Sequence, residues 1–120
     1  MNRYDFEIAQ GADHRFQLAI KTISQEGKKE HFDCSDCRAA MQVKSSPYTP
    51  RAIDTLTTEN GRITCTDGNL DFVFPNSATA EYPPGVLVYD IKLINHAAEV
   101  STILCGRIHV IAEVTRGVFA

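Results

Sequence analysis

Two cysteines separated by two residues, Cys34 and Cys37, are the first chemistry the chain offers. This spacing can place two thiolates on one Zn²⁺, with Cys65, Cys105, His31 or His109 able in principle to complete a tetrahedron. A structural zinc site usually brings two such close pairs, and here Cys65 and Cys105 stand alone in sequence. Cys34 and Cys37 are therefore weak metal candidates. A redox Cys-x-x-Cys expects a helix opening at the motif within a βαβ unit, and no such helix is expected here. Cys65 and Cys105 each fall in a strand-like run, where a cysteine behaves as a small buried apolar residue. Packing is the favoured role, with a disulfide among Cys34, Cys37, Cys65 and Cys105, or a metal, as the alternatives.

The other reactive side chains form no recognised constellation. His14, His31, His96 and His109 show neither HExxH nor HxH spacing, and none adjoins a serine or cysteine in a nucleophile motif. Asp33 with Asp36, and Asp67 with Asp71, could be read as carboxylate pairs for acid-base or Ca²⁺ chemistry, but turn formation is the commoner role. No glycine-rich phosphate loop is present. The expectation is a protein that is not an enzyme and takes no cofactor. Tyr48, in the proline-containing loop SPYTPRA, is the aromatic placed to stand exposed and serve as an interface anchor.

The elements that would position these residues are strands. From Gly85 to Arg116 the chain reads as two long β-type runs broken at Asn95 and His96. In the first run Leu87, Tyr89, Ile91 and Leu93 alternate with Val88, Asp90 and Lys92, the period of a half-buried strand. In the second, Val100, Thr102, Leu104, Ile108 and Val110 share a parity, and Gly106 in that row suggests a bulge or a close backbone approach. Tyr4, Phe6 and Ile8 form an earlier alternating run, and Phe16, Leu18 and Ile20 another, parted by a break at residues 10–13. Ser24 to Glu30 reads as a hairpin-like loop. Ala39, Met41 and Val43 mark a further strand.

Two turn signals follow. Asn60-Gly61 predicts a hairpin joining the run at residues 53–58 to a return strand at 63–66, and Asp67-Gly68 predicts a second. Asn76 or Ser77 is expected to cap a single helical turn. Tyr82-Pro83-Pro84-Gly85 then turns the chain into the central strand. The sum is an all-β protein, an antiparallel β-sandwich of seven to eight strands with one short helical turn.

With 120 residues, 43% of them hydrophobic and 22% charged, the chain is expected to form one domain over 1–120. A net charge of -3 argues against nucleic-acid binding. No stretch approaches the roughly 18 apolar residues that a membrane helix needs, and the N-terminal MNRYDFEIAQG lacks the apolar core of a signal peptide. Synthesis and retention in the cytoplasm, with no membrane partner, is the expectation.

The segments YDFEIAQGADHRFQLAI, DCSDCRAAMQVKSSP, LTTENGRITCTDGNLDFVFPNSATAEYPPGVLVYDIKL and ILCGRIHVIAEVTR occur in that order. In order and spacing they resemble a family of small tailed-phage virion proteins, similar to the immunoglobulin-like N-terminal β-sandwich domain of phage baseplate upper proteins. The resemblance runs from about Tyr4 to Arg116. Its most specific parts are the Asn60-Gly61 turn, Pro83-Pro84-Gly85 with Val88 to Asp90, and Glu113 to Arg116. This chain departs from the family pattern at Cys34 and Cys37, where apolar or aromatic residues are usual, and at Cys105, near a usual leucine. The resemblance implies a non-enzymatic structural protein of the virion, made in the host cytoplasm, serving as an adaptor in tail, baseplate, neck or fibre attachment. Its partners would be other virion proteins, with symmetric homo-oligomeric assembly. A head decoration protein and a carbohydrate- or host-surface-binding module are the alternatives. The apolar tail at residues 117–120, with Val118 and Phe119, is expected to dock on a neighbour together with Tyr48.

Overall fold

The long alternating run forms the centre of the molecule. The computed structural model describes residues 2–19, 21–23, 29–31, 37–66, 68–95 and 97–116, with backbone alone at 21–23 and 29–31. Strands β10 (Gly85–Ile94) and β11 (Val100–Ile111) pair antiparallel from Gly85↔Val110 to Ile94↔Val100. Leu87, Tyr89, Ile91 and Leu93 are buried, as their parity requires.

Around this hairpin the chain builds a sandwich of two sheets. The larger has the order β1 (Asn2–Arg3), β11, β10, β6 (Arg38–Lys44), β7 (Asp54–Thr57), and β2 (Phe6–Ala9) also pairs with β11. The smaller has the order β3 (His14–Ala19), β9 (Asn69–Phe74), β8 (Ile63–Thr66). Strands β4 (Lys21–Ile23) and β5 (Lys29–His31) form a separate antiparallel pair at the expected Ser24–Glu30 hairpin, whose tip at 24–28 lies outside the described residues. Among the described residues eight strands have four residues or more, and β1, β4 and β5 are shorter pieces. One sheet departs from the antiparallel expectation, because β1 and β2 run parallel to β11 and make it mixed.

The break at residues 10–13 carries the chain from the larger sheet into the smaller. Between the sheets lie Phe6, Ile8, Met41, Val43, Leu56, Leu70, Phe72, Phe74, Tyr89, Ile91 and Ile108, all at most 9% exposed. Burying side chains of this size contributes about 1.5–3 kcal/mol each before the entropy of ordering them. Aromatic rings extend the core to one edge, with Phe6 and Phe16 stacked at 5.4 Å and His14 on Phe6 at 5.5 Å.

Three local expectations need correction. Asn60-Gly61 does not close a hairpin: β7 belongs to one sheet and β8 to the other, so the turn crosses between them. The hairpin turn associated with Asn-Gly needs positive φ at both residues, and only Gly61 has it, at +79°. Asn60 instead folds its amide back, accepting from the N–H groups of Thr57 and Arg62 at 3.0 Å each. By contrast the strands on either side of Asp67-Gly68 do pair, with Thr66↔Asn69 as the closing register, although Asp67 itself lies outside the described residues. The helical turn Asn76–Thr79 is capped by neither Asn76 nor Ser77; its Asn76 N–H donates to Asp13 Oδ1 at 2.7 Å, from the 10–13 crossing. Finally, the bulge in β11 lies beside Ile103, between Ile91↔Leu104 and Lys92↔Thr102, and it places Val100 outward at 58% exposure. Gly106 answers to the other reading, a close approach: its neighbour is the backbone of Tyr4.

Candidate functional site

Where a sheet face is left uncovered, its outward residues line up across strands in rows. On the outer face of the larger sheet one row is Lys44, Val88 and Arg107. The next is Thr55, Gln42, Asp90, Cys105 and Arg3, and a third is Thr57, Ala40 and Lys92. These residues line a cleft of about 740 Å³. Successive rows are about 7 Å apart, two residues along a strand.

Four cations against Asp90 leave the cleft a surplus of three positive charges, in a chain whose net charge is -3. Asp5 beside Arg3, at 3.4 Å, reduces the surplus to two. The Asp5 carboxyl is held below its usual range, first by the Arg107 N–H that donates to it at 2.9 Å and then by the Arg3 charge, against a small opposing effect of burial. Cys105 has a free thiol at the cleft wall, 3.8 Å from the Asn2 carbonyl oxygen.

The strongest polar cluster lies elsewhere, between the sheets. Arg62 donates from Nη1 to Asp54 Oδ1 at 3.2 Å, from Nη2 to Oδ2 at 2.7 Å and from Nε to the Val73 carbonyl at 2.9 Å. The Tyr82 hydroxyl donates to Asp54 Oδ2 at 2.5 Å. Burial alone would raise the Asp54 carboxyl, but the bonds from Arg62 and Tyr82 outweigh it and hold it below the usual range. Tyr82 is pushed far up by burial and then by the Asp54 charge. This cluster ties β7 of one sheet to β8 and β9 of the other, with three of the Arg62 N–H groups, the Tyr82 hydroxyl and both Asp54 oxygens engaged within the protein. It is a clamp rather than a reactive centre.

A third feature is apolar. Strand β6 ends at Lys44, opposite Val88, at the end of the sheet where β10 begins and β11 finishes. The segments at that end of the sheet carry four exposed apolar residues, Tyr48 (92%), Val86 (50%), Ile111 (52%) and Val114 (96%). Tyr48 is carried by a closed turn, its N–H donating to Ser46 Oγ at 3.1 Å and the Thr49 N–H to the Ser46 carbonyl at 3.2 Å. Val114 sits on a segment fastened to the 10–13 crossing: Gln10 Oε1 accepts from the Glu113 N–H at 3.2 Å and from Arg116 at 3.4 Å.

Of the residues singled out from sequence, Cys34, Asp33, Asp36, Asp67, His96, Val118 and Phe119 lie outside the described residues, as does the whole 117–120 tail. Cys37 and Cys65 pack against the core, on different elements from Cys105. Cys65 is disulfide-bonded, which corrects the packing role favoured for it. Among the described residues no group of three or more His, Cys, Asp or Glu is placed to hold a metal ion. The cleft escaped the sequence reading because its cations come from four strands and each looks like an ordinary solvated position. The Asp54 clamp left one trace, a lone acid opening the apolar and β-branched run of β7.

No family model matches the chain, and no curated protein matches it. Among solved structures it is similar to Drosophila OTK, extracellular domains 3-5, with a TM-score of 0.38 and 11% identity over 96% of this chain and 34% of that one. It is also similar to a family 123 glycoside hydrolase from Clostridium perfringens, with a TM-score of 0.39 and 10% identity over 95% of this chain and 24% of that one. The chain thus spans about a third and about a quarter of the lengths of these structures, and likenesses this weak bear on nothing further.

Proposed function

We propose that this chain is a non-enzymatic structural module of a tailed-phage virion, which docks to neighbouring virion proteins through the apolar end of its larger sheet. The carrying observation is that Tyr48, Val86, Ile111 and Val114, all exposed, belong to segments at that one end of the sheet. Scattered apolar residues are normal on a surface, but an aromatic and three aliphatics at one end, two of them on hydrogen-bonded segments, make a prepared contact. Exposed Tyr in such a setting is the side chain best suited to anchor an interface. The segment resemblance to small virion proteins supports the same reading, and open sheet edges such as β3 add places for a neighbour's strand.

Quantitative mass spectrometry of purified particles tests it. A fixed stoichiometry in multiples of three, six or twelve against the major capsid protein is expected for a neck, tail or baseplate component. Hundreds of copies would instead mean a head decoration protein, and absence from particles would end the virion reading.

A further inference from the structure

We propose that the cleft on the outer face of the larger sheet binds an acidic oligosaccharide, a chain of sugars bearing carboxylate or sulfate groups. The inference stands apart from the virion reading, since it rests on a different surface. Lys44 and Arg107 occupy one row, with Val88 between them, so their strands are about 10 Å apart. Arg3 lies one row further and Lys92 in the row beyond. Anionic groups repeated along a flexible oligomer can meet such a spread of cations, each through charge-assisted hydrogen bonds.

The floor decides between anionic ligands. At its centre is Asp90, flanked on its own row by Gln42, which donates to Thr55 Oγ1 at 3.5 Å. A carboxylate at the centre repels any anionic group set over it, so the fitting ligand places its anions on the surrounding cations and a neutral hydroxyl over Asp90, which a sugar ring does and a run of phosphates or acidic side chains does not; the amide and threonine hydroxyls supply both donors and acceptors to the same hydroxyls. Nucleic acid is further disfavoured because no aromatic ring stands in these rows for bases to stack on. A volume of about 740 Å³ suits a few sugar rings. The cleft therefore combines a polyol-binding floor with a cationic rim.

Calorimetric titration of the intact chain with an oligogalacturonate, a sulfated oligosaccharide, a neutral glucan of matched length and poly-glutamate separates the possibilities. Saturable binding of an acidic sugar, weakened by salt and absent for the neutral glucan, is expected. Binding of the uronate alone or of the sulfated sugar alone would identify the acidic group. Lys44→Ala with Arg107→Ala should weaken it about tenfold or more while melting changes little, Arg107 being exposed, Lys44 half-buried at the end of its strand, and both on the outer face. Asp90→Asn should weaken sugar binding if hydroxyls donate to it, yet strengthen poly-glutamate binding by removing repulsion. No binding of either acidic sugar, equal binding of poly-glutamate, or undiminished binding by the double variant would overturn the proposal.

Discussion

A side chain on Gly106 would place its Cβ 1.9 Å from the carbonyl oxygen of Tyr4. That oxygen also accepts from the Tyr89 hydroxyl at 2.5 Å, and the Tyr4 N–H donates to the Cys105 carbonyl at 2.9 Å. The missing side chain thus lets the β1–β2 segment lie flat along β11 where its path breaks between the two short strands. Gly106→Ala should destabilise the fold by about 2–3 kcal/mol, the cost of overpacking against backbone that cannot move aside. Thermal melting followed by circular dichroism should show a midpoint lower by roughly 10 °C. An unchanged midpoint would show that the N-terminal edge is loosely held.

Removing the acid of the inter-sheet clamp should cost more than its exposure suggests. The Asp54 and Arg62 side chains are 13% and 20% exposed. Asp54→Ala leaves a mostly buried guanidinium without its partner, and a loss of about 3 kcal/mol in urea unfolding is expected. Asp54→Leu combined with Arg62→Met, made in a Tyr82→Phe background so that no buried hydroxyl loses its acceptor, should recover a large part of it, because the pair's own net contribution is small once desolvation is counted. If the combined variant is as unstable as the single one, the clamp is holding the sheets by geometry rather than by charge.

Stability should decline between pH 7 and pH 5 through His14. Burial against Phe6 and Phe74 lowers its pKa, so the folded protein binds this proton less readily than the unfolded chain. Above about pH 6.5 the imidazole is neutral in both states and no stability is lost. Below that value the unfolded chain takes up the proton first, and stability falls with pH. His14→Gln should flatten that slope in denaturant melts at a series of pH values; an identical slope would place the titrating group elsewhere.

Thiol titration in denaturant should find fewer than four thiols in the chain before reduction and four after, since Cys65 is disulfide-bonded and the chain has four cysteines. Four before reduction would contradict the bond. It would also restore simple packing as the role of Cys65.

The central hairpin was legible because its period-2 pattern is unbroken over β10, and parity along one strand needs no knowledge of partners. Asp67-Gly68 was legible for the same local reason. Asn60-Gly61 misled, since which sheet the following strand joins depends on Ile63 and Leu56 being buried in facing layers, a tertiary fact. The β11 parity failed at Ile103, where one extra residue reverses the faces of everything before it. The cleft was invisible because Lys44, Arg107 and Arg3 become neighbours only through strand register. Tyr48 could be picked out because two prolines exclude its loop from the sheets, whereas the exposure of Val86 and Ile111 follows from their sharing the outward parity of Val88 and Arg107 on a face with no layer over it among the described residues, which parity alone does not reveal.

The docking end is tested most directly by making it charged and asking whether the chain still enters particles. Tyr48→Asp, Ile111→Asp and Val114→Asp alter exposed side chains and should together leave the isolated domain folded, each within about 0.5 kcal/mol of neutral. Wild-type and triple-variant chains, distinguished by isotopic mass, are supplied together during infection and counted in purified particles. The account predicts that particles incorporate the wild-type chain at a fixed copy number and exclude the variant. Equal incorporation of both would contradict it.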